Sequence, residues 1–284
     1  MANNILSAIY GIAQYRKNSI ADYASIYKNR INSVGEGLEI YIKDALAGSL
    51  GKSQAECESS YHSTFSWRGT QNNPPDVILK HGDAFEVKKI EGRSSALQLN
   101  SSPPKNMLHS ADPRVTKDCR NCEERPWEKK DLFYVVGSVQ NRRINYLFFV
   151  HGLCYAADES VYSRIHSPLK KDIGALIKAK GLEGKETIEL GNVTKVDPLG
   201  ITDLRIRGMW IIQNPVQVFK KFSPILPNKE FSLAAIMTEE KYRSFGKAAG
   251  SLEADKRVKV TDIKVDNPNN PAKEISAKLL QLWW

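Results

Sequence analysis

Apolar positions along the chain follow two rhythms. Near the start the spacing is helical. Residues 4–27 are rich in Ala, Ile and Tyr and contain no proline. Val34, Leu38, Ile42 and Ala45 then recur every three to four residues, which predicts an amphipathic helix over 34–47 closed by Gly48 and Gly51. After that the period shortens to that of strands. Residues 63–68 read as a short strand, and 76–80 with 84–89 as two strands around His81-Gly82-Asp83. Residues 132–139 and 144–150 read as a second pair. Between the pairs, residues 94–130 are polar and too long for a plain loop, so they are expected to hold a helix or an ordered functional segment. Further on, Ser167 and Pro168 fit the N-cap and first position of a helix running to about Lys180. Residues 204–212 read as a strand, 256–265 as a strand with a bulge, and 271–284 as a final helix. Helices before and after a mixed sheet predict an α/β (α+β) class. No flexible linker divides the chain, which predicts a single elaborated domain over 1–284, with a core over 30–165 and a C-terminal extension over 166–284.

Composition narrows the function. Of the 284 residues, 41% are hydrophobic and 26% charged, ordinary values for a folded globular chain. No apolar run approaches the roughly 18 residues of a membrane span, and residues 1–10 carry no basic residue ahead of their apolar stretch, unlike a signal peptide. The expected compartment is the cytoplasm, without membrane partners. The formal net charge is +9, which suits a polyanionic partner, nucleic acid above all. Four cysteines are too few for a disulfide scaffold of this size and predict reduced thiols or a metal site.

The chemistry concentrates in residues 73–89. A turn centred on Gly82 sets Asp76 opposite Lys88 and Ile78 opposite Glu86. Alternation along the strands then brings Asp76, Glu86 and Lys88 out on one face, with Val77, Leu79, Phe85 and Val87 on the other. Two carboxylates suit magnesium. Lys88 would stand beside an attacking water, orienting it or accepting its proton, and help stabilise a pentavalent phosphorus. The plainer alternative is a surface hairpin with one cross-strand Asp–Lys pair.

Pro75-Asp76 with Glu86-Val87-Lys88 resembles the active-site motif of the PD-(D/E)XK nuclease superfamily. The resemblance implies a further acidic residue on a preceding helix, with Glu39 the first candidate and Glu36 the second. More widely, the chain resembles the NgoPII-like type II restriction endonucleases, through residues 72–90, 99–105, 119–123, 197–202 and 204–210. That implies a restriction-endonuclease-like fold, a mixed central β-sheet flanked by helices, with a nuclease core over 30–165. It also implies magnesium-dependent cleavage of double-stranded DNA at GGCC, and a DNA methyltransferase of the same system. On this reading Asp76, Glu86 and the carbonyl of Val87 hold the metal. A palindromic site cut with one active site per chain favours a two-fold homodimer, and the extension over 166–284 would serve recognition or dimerisation.

Recognition of G·C pairs favours arginine, whose fork pairs with guanine O6 and N7. Arg205 and Arg207 share one face of their expected strand. Gln98, Asn100, Ser101, Ser102 and Lys105 follow the hairpin and could donate to phosphates or bases, or form an ordinary turn. Gln213 and Asn214 are weaker candidates, and Lys170, Lys171, Lys178 and Lys180 are expected mainly to solvate a helix. Cys119-x-x-Cys122 is half a zinc site, which His151-x-x-Cys154 or His109 could complete; the alternative is packed thiols. Two other functional classes stay open: a non-catalytic nucleic-acid-binding protein, with or without a stabilising zinc, and a structure-specific DNA repair nuclease.

Overall fold

The structure, a computed structural model, describes residues 3–20, 34–70 and 73–284. Helix α1 (Ile5–Tyr15) starts at Asn4, whose side chain accepts from the Ser7 amide, and stops where Arg16 turns left-handed at φ 48°. The helix expected over 4–27 therefore ends at Tyr15, and residues 21–27 lie outside the described residues. Helix α2 (Val34–Ala47) has the bounds its apolar spacing predicts. Helix α3 (Gln54–Thr64) opens on a Ser53–Glu56 capping box and buries only Cys57, Tyr61 and Thr64, too few to announce it by periodicity.

Strands β1 (Phe65–Thr70), β2 (Asn73–Leu79) and β3 (Ala84–Ile90) come next. The long polar stretch holds β4 (Leu97–Gln98), β5 (Met107–His109) and a one-turn helix, α4 (Lys117–Arg120). Strands β6 (Lys129–Gln140) and β7 (Arg143–His151) form the second expected pair. Beyond them lie α5 (Glu159–Ala179), β8 (Gly191–Val193), β9 (Leu204–Ile206) and β10 (Ile211–Ile212). The rest comprises α6 (Pro215–Val218), β11 (Ser232–Thr238), α7 (Glu239–Ser244), α8 (Lys247–Glu253), β12 (Lys259–Asn267) and β13 (Asn270–Trp283).

The main sheet runs β1-β2-β3-β6-β7-β11-β13-β12, with β5 added on β6. Pairings β3–β6 and β7–β11 are parallel and the others antiparallel. Strands β11, β13 and β12 thus complete a sheet that the first half of the chain begins. One face buries Val77, Leu79, Phe85, Phe133 and Leu233 against α1, α2, α3 and α8. The other buries Ile78, Ala84, Val136, Phe148 and Ile236 under short elements and loops. At Gly137 an added Cβ would lie 2.6 Å from the Leu38 side chain, so its absence lets α2 settle close against β6.

Four expectations need correction. The β2–β3 hairpin pairs Val77 with Phe85 and Ile78 with Ala84, so Ile78 does not face Glu86 and Asp76 does not face Lys88. Its turn centres on His81, in left-handed backbone at φ 55°, and not on Gly82. A slip of two residues leaves every side chain on its expected face. Helix α5 starts at Glu159, not Pro168, which sits inside it. Its start is secured by Tyr162, whose hydroxyl accepts from the Ala157 amide. The single strand expected over 204–212 is two short ones in separate ribbons, β9 on β8 and β10 on β4. Residues 271–284 form β13, not a helix. Its Ala277 and Leu279 enter one core and Leu280 and Leu282 the other. A strand buried on both faces reads as a continuous apolar run, which periodicity alone cannot tell from a buried helix.

A buried ionic latch fastens these parts together. The Lys241 ammonium, on α7, bonds Asp83 in the hairpin turn and Asp131 Oδ2 on β6 at 2.7 Å. Asp131 Oδ1 lies 3.0 Å from His151 Nε2 at the end of β7. Burial raises the Asp83 pKa despite its lysine partner. Asp131 is also penalised by burial, but His151 and Lys241 outweigh that and hold it well below the usual carboxylate range.

Candidate active site

Strands β2 and β3 part at the carboxylates. Their ladder stops at Val77–Phe85, and the next contact is made by a side chain, with Asp76 Oδ2 accepting from the Val87 amide at 2.6 Å. Beside it, Lys88 Nζ donates to Glu86 Oε1 at 2.6 Å. Asp76, Glu86 and Lys88 line the floor of a cleft of about 1040 Å³, which Glu39 from α2 also lines. Glu39 is ion-paired with Lys43 one turn on. Glu36 is not among the residues lining the cleft.

The floor concentrates negative charge. Burial, then the charges of Glu86 and Glu39, push the Asp76 pKa up to about 8. For Lys88, burial opposes the charge, but Glu86, Asp76 and Glu39 outweigh it and leave the pKa above its usual value. Lys88 is therefore an ammonium, and the carboxylates remain under-compensated. Oxygen donors with excess negative charge fit magnesium, which binds through one or two carboxylates and keeps several waters. Among the described residues no three His, Cys, Asp or Glu side chains gather as a ligand set, so an all-protein cage is not what the floor offers.

One wall of the cleft carries Asn100, Ser101, Ser102 and Lys105. It is stapled from behind. The Tyr134 hydroxyl accepts from the Lys105 amide and donates to the Lys105 carbonyl. Arg114 Nη2 donates to the Ser101 carbonyl, and Lys105 Nζ pairs with Asp112 at 2.6 Å. The cleft is also lined by Glu189, Arg205 and Arg207. Two backbone hydrogen bonds, Leu99 N to Trp210 O and Trp210 N to Asn100 O, both 2.9 Å, tie the two segments together. Gln98 is the exception among the expected DNA contacts. It pairs with Ile211 on β4, is exposed, and does not line the cleft.

Among the described residues the possible zinc ligands do not gather as a set. Cys119 and Cys122 lie together, the Cys122 thiol also reaching the Ser66 hydroxyl at 3.7 Å. The hydrogen bond from Cys119 pulls the Cys122 pKa down to about 7. His151 instead engages Asp131 and stacks on Phe133. Cys154 is buried, which pushes its thiol up to about 12. All of these cysteines are free thiols, Cys119 and Cys154 buried and Cys122 half-buried.

Sequence reasoning missed Glu189 and Arg114. Glu189 sits between Ile188 and Leu190, and a lone carboxylate among apolar residues is a weak sign of a buried partner. Gly69 was also unremarked. An added Cβ there would lie 2.2 Å from the Pro75 carbonyl oxygen, one residue before Asp76. Gly69→Ala must therefore push β2 aside. A shift of about 1 Å at a reacting group can cost about a hundredfold in rate, so this variant is expected to cut about a hundredfold more slowly. Single-turnover cleavage beside a thermal melt checks it; a wild-type rate in a folded variant would show that the floor tolerates the shift.

The family model of the NgoPII restriction endonuclease matches residues 3–266 of this chain. The chain is 40% identical over 279 residues, 98% of each partner, to the type II restriction enzyme NgoPII of Neisseria gonorrhoeae. No solved structure matches it.

Proposed function

The chain belongs to the NgoPII restriction endonuclease family and is a site-specific deoxyribonuclease, and from that premise we propose that it hydrolyses double-stranded DNA at GGCC with magnesium held by Asp76 and Glu86. The observation that carries this reading is the parting of β2 and β3 at Asp76, Glu86 and Lys88 on the floor of an arginine-walled cleft. The carbonyl of Val87 is the third oxygen ligand we assign. When bound, the ion would lower the pKa of a water and neutralise charge on the phosphate.

The residues of the chain do the rest. Asp76 is held in place by the Val87 amide, so its free oxygen is aimed without needing to be ordered. Lys88 stays charged beside Glu86. Its part is to orient the attacking water and stabilise charge growing on the phosphoryl oxygens, and not to take the proton. Glu39 adds the third negative charge at the end of the floor, and its assigned role is to steer a water. Asn100, Ser101 and Ser102 on the stapled wall position the backbone, with Lys105 beside them. Arg205 and Arg207, which also line the cleft, read guanines.

Digestion of a long unmethylated DNA with magnesium, with end mapping and a chelator control, tests the reading. Discrete fragments whose mapped ends fall at GGCC sites, lost with chelator, are expected. Ends falling at another sequence would overturn the specificity, and cleavage that survives chelation would overturn the metal.

The raised Asp76 pKa gives a pH prediction. The metal-free folded protein keeps this carboxyl protonated where an unfolded chain would have lost the proton, so its stability contribution falls as pH rises from the ordinary carboxylate range toward about 8. A cation must displace that proton. Magnesium affinity, read by calorimetry, is therefore expected to rise with pH until about 8 and then level off. An affinity flat across that interval would remove Asp76 from the ligand set.

We also assign a homodimer acting in the cytoplasm, with a methyltransferase of the same specificity protecting host DNA. Val161, Ile165, Leu169 and Leu176 are all exposed on α5, and their spacing sets them on one side of it. A two-fold pairing through this stripe would bury the same residues of both copies against each other. Leu169→Lys is expected to shift sedimentation toward the monomer; an unchanged dimer would place the interface elsewhere.

A further inference from the structure

Glu189 is the acid that base and phosphate recognition does not need. It lies on the DNA-facing wall of a basic protein, where a negative charge repels the substrate, and its side chain is only 7% exposed. Two arginines share it. Arg205 gives Nε to Glu189 Oε2 at 3.2 Å and Nη2 to Oε1 at 2.7 Å. Arg207 brings its Nε within 2.7 Å of the same Oε1. Both arginine side chains are more than half exposed, at 59% and 55%. Each therefore spends its Nε edge on the carboxylate. A guanidinium has five N–H donors in a rigid plane; Arg205 spends Nε and one Nη2 N–H on the carboxylate, yet each arginine keeps the N–H pair between Nη1 and Nη2, the end that can fork onto an acceptor pair.

Without Glu189, Arg205 on β9 and Arg207 just beyond it are two like charges two residues apart, each with several free torsions. They would repel each other and sample many rotamers. A single buried carboxylate removes both problems. It compensates the repulsion and fixes the plane of each fork before DNA arrives, which lowers the ordering cost of binding. Glu189 itself is anchored where water competes little, so the pairing is stronger than a surface ion pair.

We propose that Glu189 is a specificity-determining positioning residue, which sets Arg205 and Arg207 as one preorganised two-fork comb for reading adjacent guanines. The inference rests on the base-reading role of those arginines. It separates from plain electrostatics by sign. Removing a negative charge from a DNA cleft should tighten binding to any DNA. Removing a positioning group should weaken binding to the cognate site alone.

The test uses the full-length chain carrying Lys88→Ala in magnesium buffer, with anisotropy on a duplex containing GGCC and on one of the same composition with the site shuffled. Glu189→Gln keeps the volume and loses the charge. The expected result is cognate binding weaker by about tenfold with shuffled binding unchanged or tighter. A double-mutant cycle excludes a merely structural part. Once Glu189 is Gln, changing Arg205 and Arg207 to Ala should cost far less preference than in the parent. Tightening on both duplexes alike, or strictly additive losses, would overturn the inference while leaving the arginines as readers. If the double arginine variant still prefers GGCC, or the parent shows no preference, the base-reading assignment fails and takes this inference with it. Should Glu189→Gln not fold, Glu189→Asp carries the same comparison, since shortening the carboxylate also withdraws it from both forks.

Discussion

Lys88→Ala is expected to lower the single-turnover cleavage rate at least about a thousandfold while leaving DNA binding nearly intact. The size follows from where the ammonium sits. It is three-quarters buried, 2.6 Å from Glu86, with its pKa held above normal by three surrounding carboxylates. Preorganised charge in a poorly solvated site is worth far more than the same charge in water. Its removal withdraws a group aimed at the transition state without touching the walls that hold the duplex. Lys88→Arg restores charge but not shape, since the planar guanidinium is bulkier and spreads its charge; partial recovery at most is expected. A Lys88→Ala enzyme cutting within tenfold of the parent would sink the catalytic assignment.

The second large effect concerns stability. Lys241→Met is expected to destabilise the fold by about 3–5 kcal/mol, because it leaves Asp83 and Asp131 buried with their shared cation gone. The loss should depend on pH in a defined direction. Without Lys241 the pKa of Asp83, already raised by burial, rises further. A group with a raised folded pKa contributes stability at low pH that disappears as pH climbs through that pKa. The variant should therefore be much weaker than the parent at about pH 8 and closer to it at about pH 5. Urea unfolding at the two pH values measures this. An equal loss at both would mean that the lysine acts through packing, its ammonium lying over the Phe245 ring, and not through the two carboxylates.

How much of this was legible in the sequence depends on range. Helix α2 could be read to the residue, because four apolar positions at helical spacing need no outside information. The faces of the catalytic hairpin could also be read, since a wholly apolar face fixes parity even where the register slips by two. The unread parts all depend on partners far along the chain. Residues 277–282 show no period because both faces are covered by distant segments. Pro168 looked like a helix start because Ser167 precedes it, yet Asp158, Glu159 and the Tyr162 hydroxyl begin the helix earlier. The latch joins positions 83, 131, 151 and 241, and no local pattern links them. The same holds for Glu189, which meets its arginines sixteen and eighteen positions on. By contrast, Asp76, Glu86 and Lys88 lie within thirteen consecutive residues, which is why the chemistry was more readable than its scaffold.

The insertion of β13 between β11 and β12 gives the molecule an order of assembly. On the ribosome β11 and β12 emerge first, each with an open edge, and neither can pair with the other. They must wait for residues 270–283, which fill the gap and bond to both. Until then a long apolar edge stands unsatisfied, the state in which chains stick to one another. A cell making this nuclease therefore holds a chain whose hairpin, helices and cleft walls already exist but whose sheet is still open. The step that closes it comes late and is contributed by a strand that does not line the cleft. Lowering the concentration of such open chains by slower initiation, or weakening their apolar association by lower temperature, should raise the yield of soluble enzyme more than any change at the cleft.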